Sequence, residues 1–288
     1  MALSVLCSIF LSVCFKLFPK YGIDTFPAIV FNYLTCVFTA WILEGCIPIH
    51  AGLADHGWFP YGIILGFVFI TGFNCNANTV QISGIGVTSV IQKMSMFLSV
   101  IFAYLYFRES MGPWKIVGLI AAVPATLLVN NIGFGTKIKL PEFKFWMFPL
   151  GTFIINGVID SIFFFLKKKG IVSTDDLAFS SFLFLMAALV GICFWLAFGK
   201  RLKLGTVSRR NILAGIILGV PNFYSIYWLL KGLAAFAEGS VVIPLYNIST
   251  LLCTLLVGIL LFSESLNRKK SWGIVFAVIS IVCVSLLA

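Results

Sequence analysis

The amino-acid sequence predicts an all-α integral membrane protein with about ten transmembrane helices in two inverted five-helix repeats. Composition and an internal repeat carry this prediction. The 288 residues have a mean hydropathy of +1.07, and 60% of them are hydrophobic whereas only 10% are charged. A soluble domain carries about 25% charged residues. The chain is therefore expected to lie in a bilayer.

Ten apolar windows of suitable length follow one another along the chain. A helix needs about 20 apolar residues to cross roughly 30 Å of hydrocarbon. The windows are 1–18, 26–46, 58–80, 86–107, 113–130, 145–166, 177–198, 211–231, 239–262 and 271–288. Because the links between them are short, we expect all chemistry to take place within the membrane or at its faces.

The internal repeat is visible in two motifs, FRES at 107–110 and FSES at 262–265, which end long apolar segments. Their glutamates, Glu109 and Glu264, are 264 − 109 = 155 positions apart. The same shift, without a gap, superposes Gly84 on Gly239, Val87 on Val242, Lys115 on Lys270 and Gly118 on Gly273. The chain is therefore predicted to contain two copies of one membrane unit.

We expect the first repeat at 1–132, a connecting loop at 133–144 and the second repeat at 145–288. With about five helices in each half, an odd number, the second copy must enter the membrane from the opposite side. Such inverted pairs are typical of secondary transporters, whose substrate sites lie between the repeats.

The distribution of lysine and arginine predicts the orientation, because cytoplasmic links are enriched in these residues. One set of alternate links collects Lys16, Lys20, Lys137, Lys139, Lys144, Lys200, Arg201, Lys203, Arg209, Arg210, Arg268, Lys269 and Lys270. The other set collects Arg108, Lys115, Lys167, Lys168, Lys169 and Lys231. The links after helices 1, 3, 5, 7 and 9 are therefore predicted to be cytoplasmic, with both termini outside.

Polar residues form stripes at helical spacing inside the apolar windows. The fourth window has Thr88, Gln92, Ser95 and Ser99 on one face, and the shift of 155 carries the last three onto Asn247, Thr250 and Thr254. A second shift, of 148, superposes Gly22-Ile23 on Gly170-Ile171 and carries Ser4, Ser8 and Ser12 onto Thr152, Asn156 and Asp160. Helices 1, 4, 6 and 9 are thus predicted to line one polar interior.

The third and eighth windows add further polar faces. The third has Thr71, Asn74, Asn78 and Gln81, and the eighth has Asn222, Tyr224, Ser225, Tyr227 and Trp228 just after Pro221. A proline-induced kink there could turn backbone carbonyls toward a ligand. Small polar residues also act as packing contacts between membrane helices, and that alternative stays open for each single serine or threonine.

Two charges lie deep inside windows, Lys93 in the fourth and Asp160 in the sixth. A charge at the centre of a membrane helix needs water or a partner. Either the two neutralise each other, or Lys93 binds an anionic substrate group and Asp160 carries a coupling proton. Glu109 and Glu264 are interpreted as helix ends that snorkel or form salt bridges.

The candidate substrate-binding residues share these positions in polar stripes or as intramembrane charges. They are Lys93, Gln92, Ser95, Asn74, Asn78, Asn156, Asp160, Asn222, Tyr227, Asn247 and Thr250. No catalytic residue, metal ligand or cofactor is expected, because the 8 cysteines are scattered singly and no HExxH, GxSxG or Gly-Lys-Ser motif is present. Nucleic acid is not an expected partner.

Two halves that each place an apolar-Glu motif before a glycine-bearing fifth helix (Glu109 and Gly118; Glu264 and Gly273) form a familiar pattern. The chain resembles the EamA-type members of the drug/metabolite transporter superfamily over essentially its whole length. The resemblance implies export or exchange of small metabolites such as amino acids, phosphorylated compounds or nucleotide conjugates. Related exchangers of phosphorylated compounds use lysines in a central cavity, which bears on Lys93.

The chain also departs from that family. Relatives often carry proline in the fourth and ninth helices, but the fourth has none here, and the ninth has only Pro244, near its start. Many relatives have both termini in the cytosol, opposite to the orientation that the charges predict. Smaller multidrug relatives use a glutamate in the first helix, where this chain has serines, so proton-driven multidrug export by that route is disfavoured.

The sequence thus predicts a secondary transporter of a small polar metabolite, anionic or zwitterionic, in the bacterial inner membrane. Its expected partners are the substrate, the lipid bilayer and, in one alternative, a coupling proton; the oligomeric state is left open. A lipid-linked flippase and a non-transporting membrane scaffold are the alternatives. An intramembrane enzyme is disfavoured by the missing catalytic motifs.

Overall fold

The computed structural model of the chain describes residues 1–44, 52–108, 111–129, 140–172, 177–235, 239–264 and 267–285. These residues form eleven α-helices and no strand. The helices are α1 Ala2–Leu17, α2 Thr25–Glu44, α3 Phe59–Ser83, α4 Ile85–Met94, α5 Met96–Phe107, α6 Pro113–Val129, α7 Leu140–Lys168, α8 Leu177–Phe198, α9 Arg209–Ala235, α10 Gly239–Phe262 and α11 Arg268–Ser285.

The predicted all-helical fold is confirmed, and each apolar window contains a helix. The fourth window contains two, α4 and α5, which meet at Ser95. Among the described residues, six segments are long and apolar enough to cross a membrane: Thr25–Leu43, Phe59–Ser83, Ile85–Phe107, Trp146–Lys168, Leu177–Phe198 and Arg209–Leu229. The shorter apolar helices are Ala2–Leu17, Pro113–Val129 and Tyr246–Phe262. That all ten windows cross the membrane stays a prediction.

The chain folds into two compact units. The first unit comprises residues 1–77 and 162–234, and the second comprises residues 78–161 and 235–288. Each unit therefore takes helices from both predicted repeats. The two units are therefore not the predicted repeats, and the division into 1–132, 133–144 and 145–288 stays a prediction.

The first unit has an aromatic core in which glycines allow close helix contacts. Tyr33, Phe179, Phe182 and Phe223 are at most 2% exposed. An ideal Cβ on Gly62 of α3 would lie 2.6 Å from the Phe182 ring of α8, and one on Gly215 of α9 would lie 2.8 Å from the Ala28 carbonyl oxygen of α2. Helices can approach so closely because glycine lacks a side chain.

The second unit has an aliphatic core around the contact between α6 and α11. One glycine on each of these helices faces the backbone of the other helix. A Cβ on Gly118 would lie 3.0 Å from the Ser280 carbonyl oxygen, and one on Gly273 would lie 3.1 Å from the Ala125 carbonyl oxygen. The shift of 155 relates Gly118 to Gly273 and Ala125 to Ser280. The two halves of this contact therefore use equivalent positions.

Helix ends also recur at the shifts found in the sequence. Arg108 and Ser263, 155 positions apart, end α5 and α10 with φ angles of 53° and 51°. Gly22 and Gly170, 148 positions apart, have φ angles of 62° and 66°. A left-handed residue at these places ends a helix by letting the next amides bond back to its last carbonyls.

Glu264 has a structural role that the sequence did not predict. Its Oε1 accepts a hydrogen bond from the Ile85 amide at 2.7 Å, and its Oε2 accepts one from the Gly86 amide at 3.2 Å. The carboxylate thus caps the N-terminus of α4, where free amides and the helix dipole favour negative charge. Gly84, with a φ of 97°, interrupts the helical backbone between α3 and α4 and allows the carboxylate to approach. Glu109 lies outside the described residues.

Candidate functional site

The interruption between α4 and α5 positions the central residues of the candidate site in the second unit. The Leu98 amide bonds to the Ser95 carbonyl at 3.0 Å, and the Ser95 hydroxyl donates to the Gln92 carbonyl at 2.6 Å. Both bonds join residues three positions apart, and the backbone bond is of the 3₁₀ type, which tightens the helix locally. Irregular backbone at membrane depth is tolerated where protein or a polar cavity surrounds it. The fourth predicted helix is therefore interrupted without a proline.

Lys93, in the last turn of α4, has two partners on α10. Its Nζ donates to the Asn247 Oδ1 at 2.9 Å and lies 5.0 Å from the centroid of the Tyr246 ring. The amide oxygen accepts a charge-assisted hydrogen bond, and the ring face attracts the cation. A cation at the end of α4 is also favoured by the helix dipole. The structure therefore brings together two predicted site residues, the intramembrane charge Lys93 and the stripe residue Asn247.

Asp160 on α7 approaches the same interruption. The Ser95 hydroxyl lies 3.4 Å from the Asp160 Oδ2, at the long limit of a hydrogen bond. The approach depends on Gly157, since a Cβ there would lie 2.7 Å from the Leu98 Cβ on α5. Asp160 follows Gly157 by almost one turn, so the close contact carries the carboxylate to Ser95.

The positive charge of Lys93 acts on the Asp160 carboxylate. The nearest polar partners differ, however: Lys93 donates to Asn247, whereas Asp160 lies beside the Ser95 hydroxyl, whose shorter hydrogen bond goes to the Gln92 carbonyl. We define the Lys93 cluster as Lys93, Asn247, Asp160, Ser95 and Tyr246. It holds a cation and a carboxylate within the second unit.

Most hydroxyl groups of the predicted stripes bond within their own helix. The Thr88 hydroxyl donates to the Gly84 carbonyl at 2.7 Å, and the Thr250 hydroxyl donates to the Tyr246 carbonyl at 2.7 Å. The hydroxyls of Ser99 and Thr254 bond to carbonyls of their own helices in the same way. These side chains need no partner on another helix, and Thr250 is only 7% exposed.

The predicted residues of the first unit form a separate set. The Asn222 amide donates to the Asn32 Oδ1 at 3.2 Å, with both side chains buried. Asn74 donates to the Ile70 carbonyl at 2.8 Å, and the Tyr227 ring lies 5.1 Å from the Lys231 Nζ. Asn222 thus links α9 to α2, which is the packing role that the sequence left as an alternative.

The remaining predicted residues lie in the second unit. Asn78 and Gln92 are partly buried, and Asn156 donates to the Thr152 carbonyl at 2.7 Å. The Thr152 hydroxyl bonds to the Thr79 hydroxyl at 2.8 Å, fully buried. This contact joins α7 to α3.

Sequence reasoning missed three residues that the structure brings to these sites: Asn32, Thr79 and Tyr246. Thr79 directly follows Asn78 but is not among the stripe residues Thr71, Asn74, Asn78 and Gln81, and no stripe was identified in the second window, which contains Asn32. Tyr246 precedes Asn247 and belongs to the site only because the Lys93 side chain of α4 contacts its ring. A search for aromatic residues next to the stripe positions would have found it.

Comparisons with known proteins bear on the family likeness and the fold. The EamA-like transporter family matches residues 1–131. An uncharacterized protein of Haemophilus influenzae is 28% identical over 290 residues, which cover 97% of this chain and 95% of that protein. A protein of known crystal structure superposes with a TM-score of 0.60 at 14% identity and covers 99% of both chains, a likeness that shows the fold alone. Residues 1–131 are thus similar to the EamA-like transporter family of the drug/metabolite transporter superfamily, as the sequence predicts, and the long apolar helices indicate an integral membrane protein.

Proposed function

We propose that this protein is a secondary transporter that moves a small polar metabolite across the bacterial inner membrane by alternating access. The observation that carries the proposal is the hydrogen bond between Lys93 and Asn247. Asn247 belongs to the polar stripe of α10, and Lys93 directly follows Gln92, the residue that the shift of 155 relates to Asn247. The proposed substrate contact is Lys93, with Asn247 and Tyr246 orienting its ammonium group.

A purely structural role for Lys93 is disfavoured by its position in the repeat. The shift of 155 places Ile248 at the equivalent position of α10, so the fold of this helix does not require a lysine. A lysine at the centre of a membrane helix costs about 2.5–3.5 kcal/mol relative to water. A side chain with that cost and no counterpart in the repeat is best explained by a ligand.

Alternating access needs two halves that can exchange conformations. The reciprocal contacts of Gly118 and Gly273, and the matched left-handed residues Arg108 and Ser263, support two inverted repeats of five helices each. Ser4 and Thr152, which the shift of 148 relates, also make matched contacts: the hydroxyl of each bonds to another helix within its own unit. Ser4 of α1 bonds to the Ser225 carbonyl of α9, and Thr152 of α7 bonds to Thr79 of α3.

The charges of the Lys93 cluster suggest the class of substrate. An ammonium group selects a carboxylate or phosphate, and the nearby carboxylate of Asp160 either accepts a cationic group or carries a coupling proton. Amino acids, phosphorylated metabolites and nucleotide-linked metabolites satisfy this requirement. We propose an anionic or zwitterionic substrate from these classes.

The test begins with a thermal-shift screen of the purified protein against a metabolite library, because a ligand that binds only the folded state raises stability. The hit is then assayed for transport in proteoliposomes. Lys93→Gln should abolish both the shift and transport while the free energy of unfolding stays nearly unchanged. Lys167→Gln, at the exposed end of α7, is the matched control and should behave as wild type.

The alternative role, in which Lys93 neutralises Asp160, predicts a different result. Lys93→Gln would then lower the free energy of unfolding by about 3–5 kcal/mol, because it leaves a buried charge without compensation. Adding Asp160→Asn should restore stability. Normal transport by Lys93→Gln would refute the proposed substrate contact.

A further inference from the structure

A cluster of positive charge lies at one end of the first unit. It shares no residue with the Lys93 cluster. Seven basic residues lie within or beside two turns, 18–24 between α1 and α2 and 199–208 between α8 and α9. We define them as the basic patch: Lys16, Lys20, Lys200, Arg201, Lys203, Arg209 and Arg210. Asp24 is the single acidic residue of 16–24 and 199–210, which gives these segments a formal charge of 7 − 1 = +6.

The two turns are held together by hydrogen bonds around Asp24. Its Oδ2 accepts from the Thr206 amide at 3.1 Å and from the Asn211 Nδ2 at 3.0 Å, and its own amide donates to the Asn211 Oδ1 at 3.0 Å. Trp195 Nε1 donates to the Gly205 carbonyl at 3.2 Å. These bonds fix the turn after α8 against the turn after α1.

The only acidic group of these segments is therefore engaged within the protein, while the cations point outward. All members of the basic patch except Lys16 are exposed. An ideal Cβ on Gly22 would lie 3.9 Å from an Arg210 guanidinium nitrogen, which shows that this arginine reaches over the turn between α1 and α2. The patch is thus one surface, built from chain segments about 180 residues apart.

Large apolar side chains lie between the basic residues. Tyr21 is 57% exposed, Leu202 52% and Val207 62%. At the ends of apolar helices, such side chains fit the boundary between lipid headgroups and acyl chains, where aromatic and long basic residues are enriched. A soluble anion would gain nothing from them, whereas a lipid would contact both the charges and the apolar groups.

We propose that the basic patch binds the headgroups of anionic phospholipids in the surrounding bilayer. Clusters of four to eight lysine and arginine residues beside a membrane helix attract anionic lipids, and each charge near the surface contributes to this attraction. Because hydrogen bonds already hold the two turns together, lipid binding does not have to order their backbone. This lipid site is independent of the proposed substrate contact.

The test compares phosphatidylglycerol with phosphatidylcholine as the added lipid. The purified full-length protein is titrated with mixed micelles, and its unfolding temperature is followed by intrinsic tryptophan fluorescence. We expect phosphatidylglycerol to raise the unfolding temperature with saturation, and phosphatidylcholine of the same chain length to have little effect. Raising the salt from 0.1 to 1 M should remove most of the difference, because the screening length falls from about 10 to about 3 Å.

The test variant combines Lys20→Gln, Lys200→Gln and Arg201→Gln, and should bind phosphatidylglycerol on the order of 100-fold more weakly, at about fivefold for each charge. The matched control combines Lys167→Gln, Lys168→Gln and Lys169→Gln. It removes the same charge from the segment that precedes α8, whereas the basic patch follows α8. This helix has 22 residues and is about 33 Å long. The control should keep wild-type affinity, and all three proteins should unfold alike in phosphatidylcholine.

Two results would overturn the proposal: no preference of the wild type for phosphatidylglycerol, or an equal loss of affinity in the control variant. Equal stabilisation by soluble glycerol phosphate would also overturn it, because the patch would then bind free anions rather than lipid. The readout is lipid binding and not transport. The proposal can therefore fail while the substrate contact holds, and the converse is equally possible.

Discussion

Replacing Gly118 with alanine should weaken the contact between α6 and α11 in the second unit. The added Cβ would lie 3.0 Å from the Ser280 carbonyl oxygen, whereas ordinary contacts are 3.4–4 Å, and it would overlap the Val284 side chain. A backbone oxygen cannot rotate away, so the helices must separate. The Ser280 hydroxyl also donates to the Gly118 carbonyl at 2.6 Å, and separation would strain this bond.

The expected loss follows from opposing effects. Overpacking costs about 1–3 kcal/mol, and weakening the hydrogen bond adds about 0.5–1.5 kcal/mol. Alanine returns up to about 1 kcal/mol because it is a better helix former than glycine. We therefore expect Gly118→Ala to lower the free energy of unfolding by about 1–3 kcal/mol.

The measurement is a denaturant titration of the purified protein in detergent, with Gly112→Ala as the control. A Cβ on Gly112 would meet nothing within 4 Å, so this variant should stay within about 0.5 kcal/mol of wild type. Gly273→Ala should resemble Gly118→Ala, because its Cβ would lie 2.9 Å from the Val129 backbone nitrogen. A neutral or stabilising effect of Gly118→Ala would show that the contact is looser than described.

Four further predictions test other parts of the structure. Glu264→Gln should lower the free energy of unfolding by about 1–3 kcal/mol, because the N-terminus of α4 loses a charged acceptor; a denaturant titration showing under 0.5 kcal/mol would contradict the capping role. Asn222→Leu should cost a similar amount by stranding Asn32, and the double change with Asn32→Leu should recover much of it; fully additive losses in the same titration would argue against coupling of the two amides. Single cysteines at Gln92 and Asn247, in a cysteine-free background, should react with small hydrophilic thiol reagents and be protected by substrate, whereas the buried positions Ser95 and Thr250 should react more slowly; uniform inertness would indicate dry helix packing. A reporter fused to the C-terminus should behave as periplasmic, since the lysine and arginine distribution places both termini outside; cytoplasmic activity would reverse the orientation.

The sequence determined the positions of the helices. In a bilayer each helix must satisfy its own backbone hydrogen bonds, so a long apolar window is enough to specify it. The windows at 177–198 and 239–262 match α8 and α10 to the residue. The shift of 155 likewise anticipated that Gln92 and Asn247 belong to equivalent stripes, one residue from the observed contact of Lys93.

Tertiary structure alone decided which polar groups meet. The interruption at Ser95 has no proline to signal it and depends on bonds to the Gln92 carbonyl and the Leu98 amide. Glu264 caps α4 rather than forming only an end-piece of α10, because the break at Gly84 opens the amides of a distant helix to its carboxylate. Such partners come from helices that pack together after insertion, and their choice depends on distances that spacing along one helix does not contain.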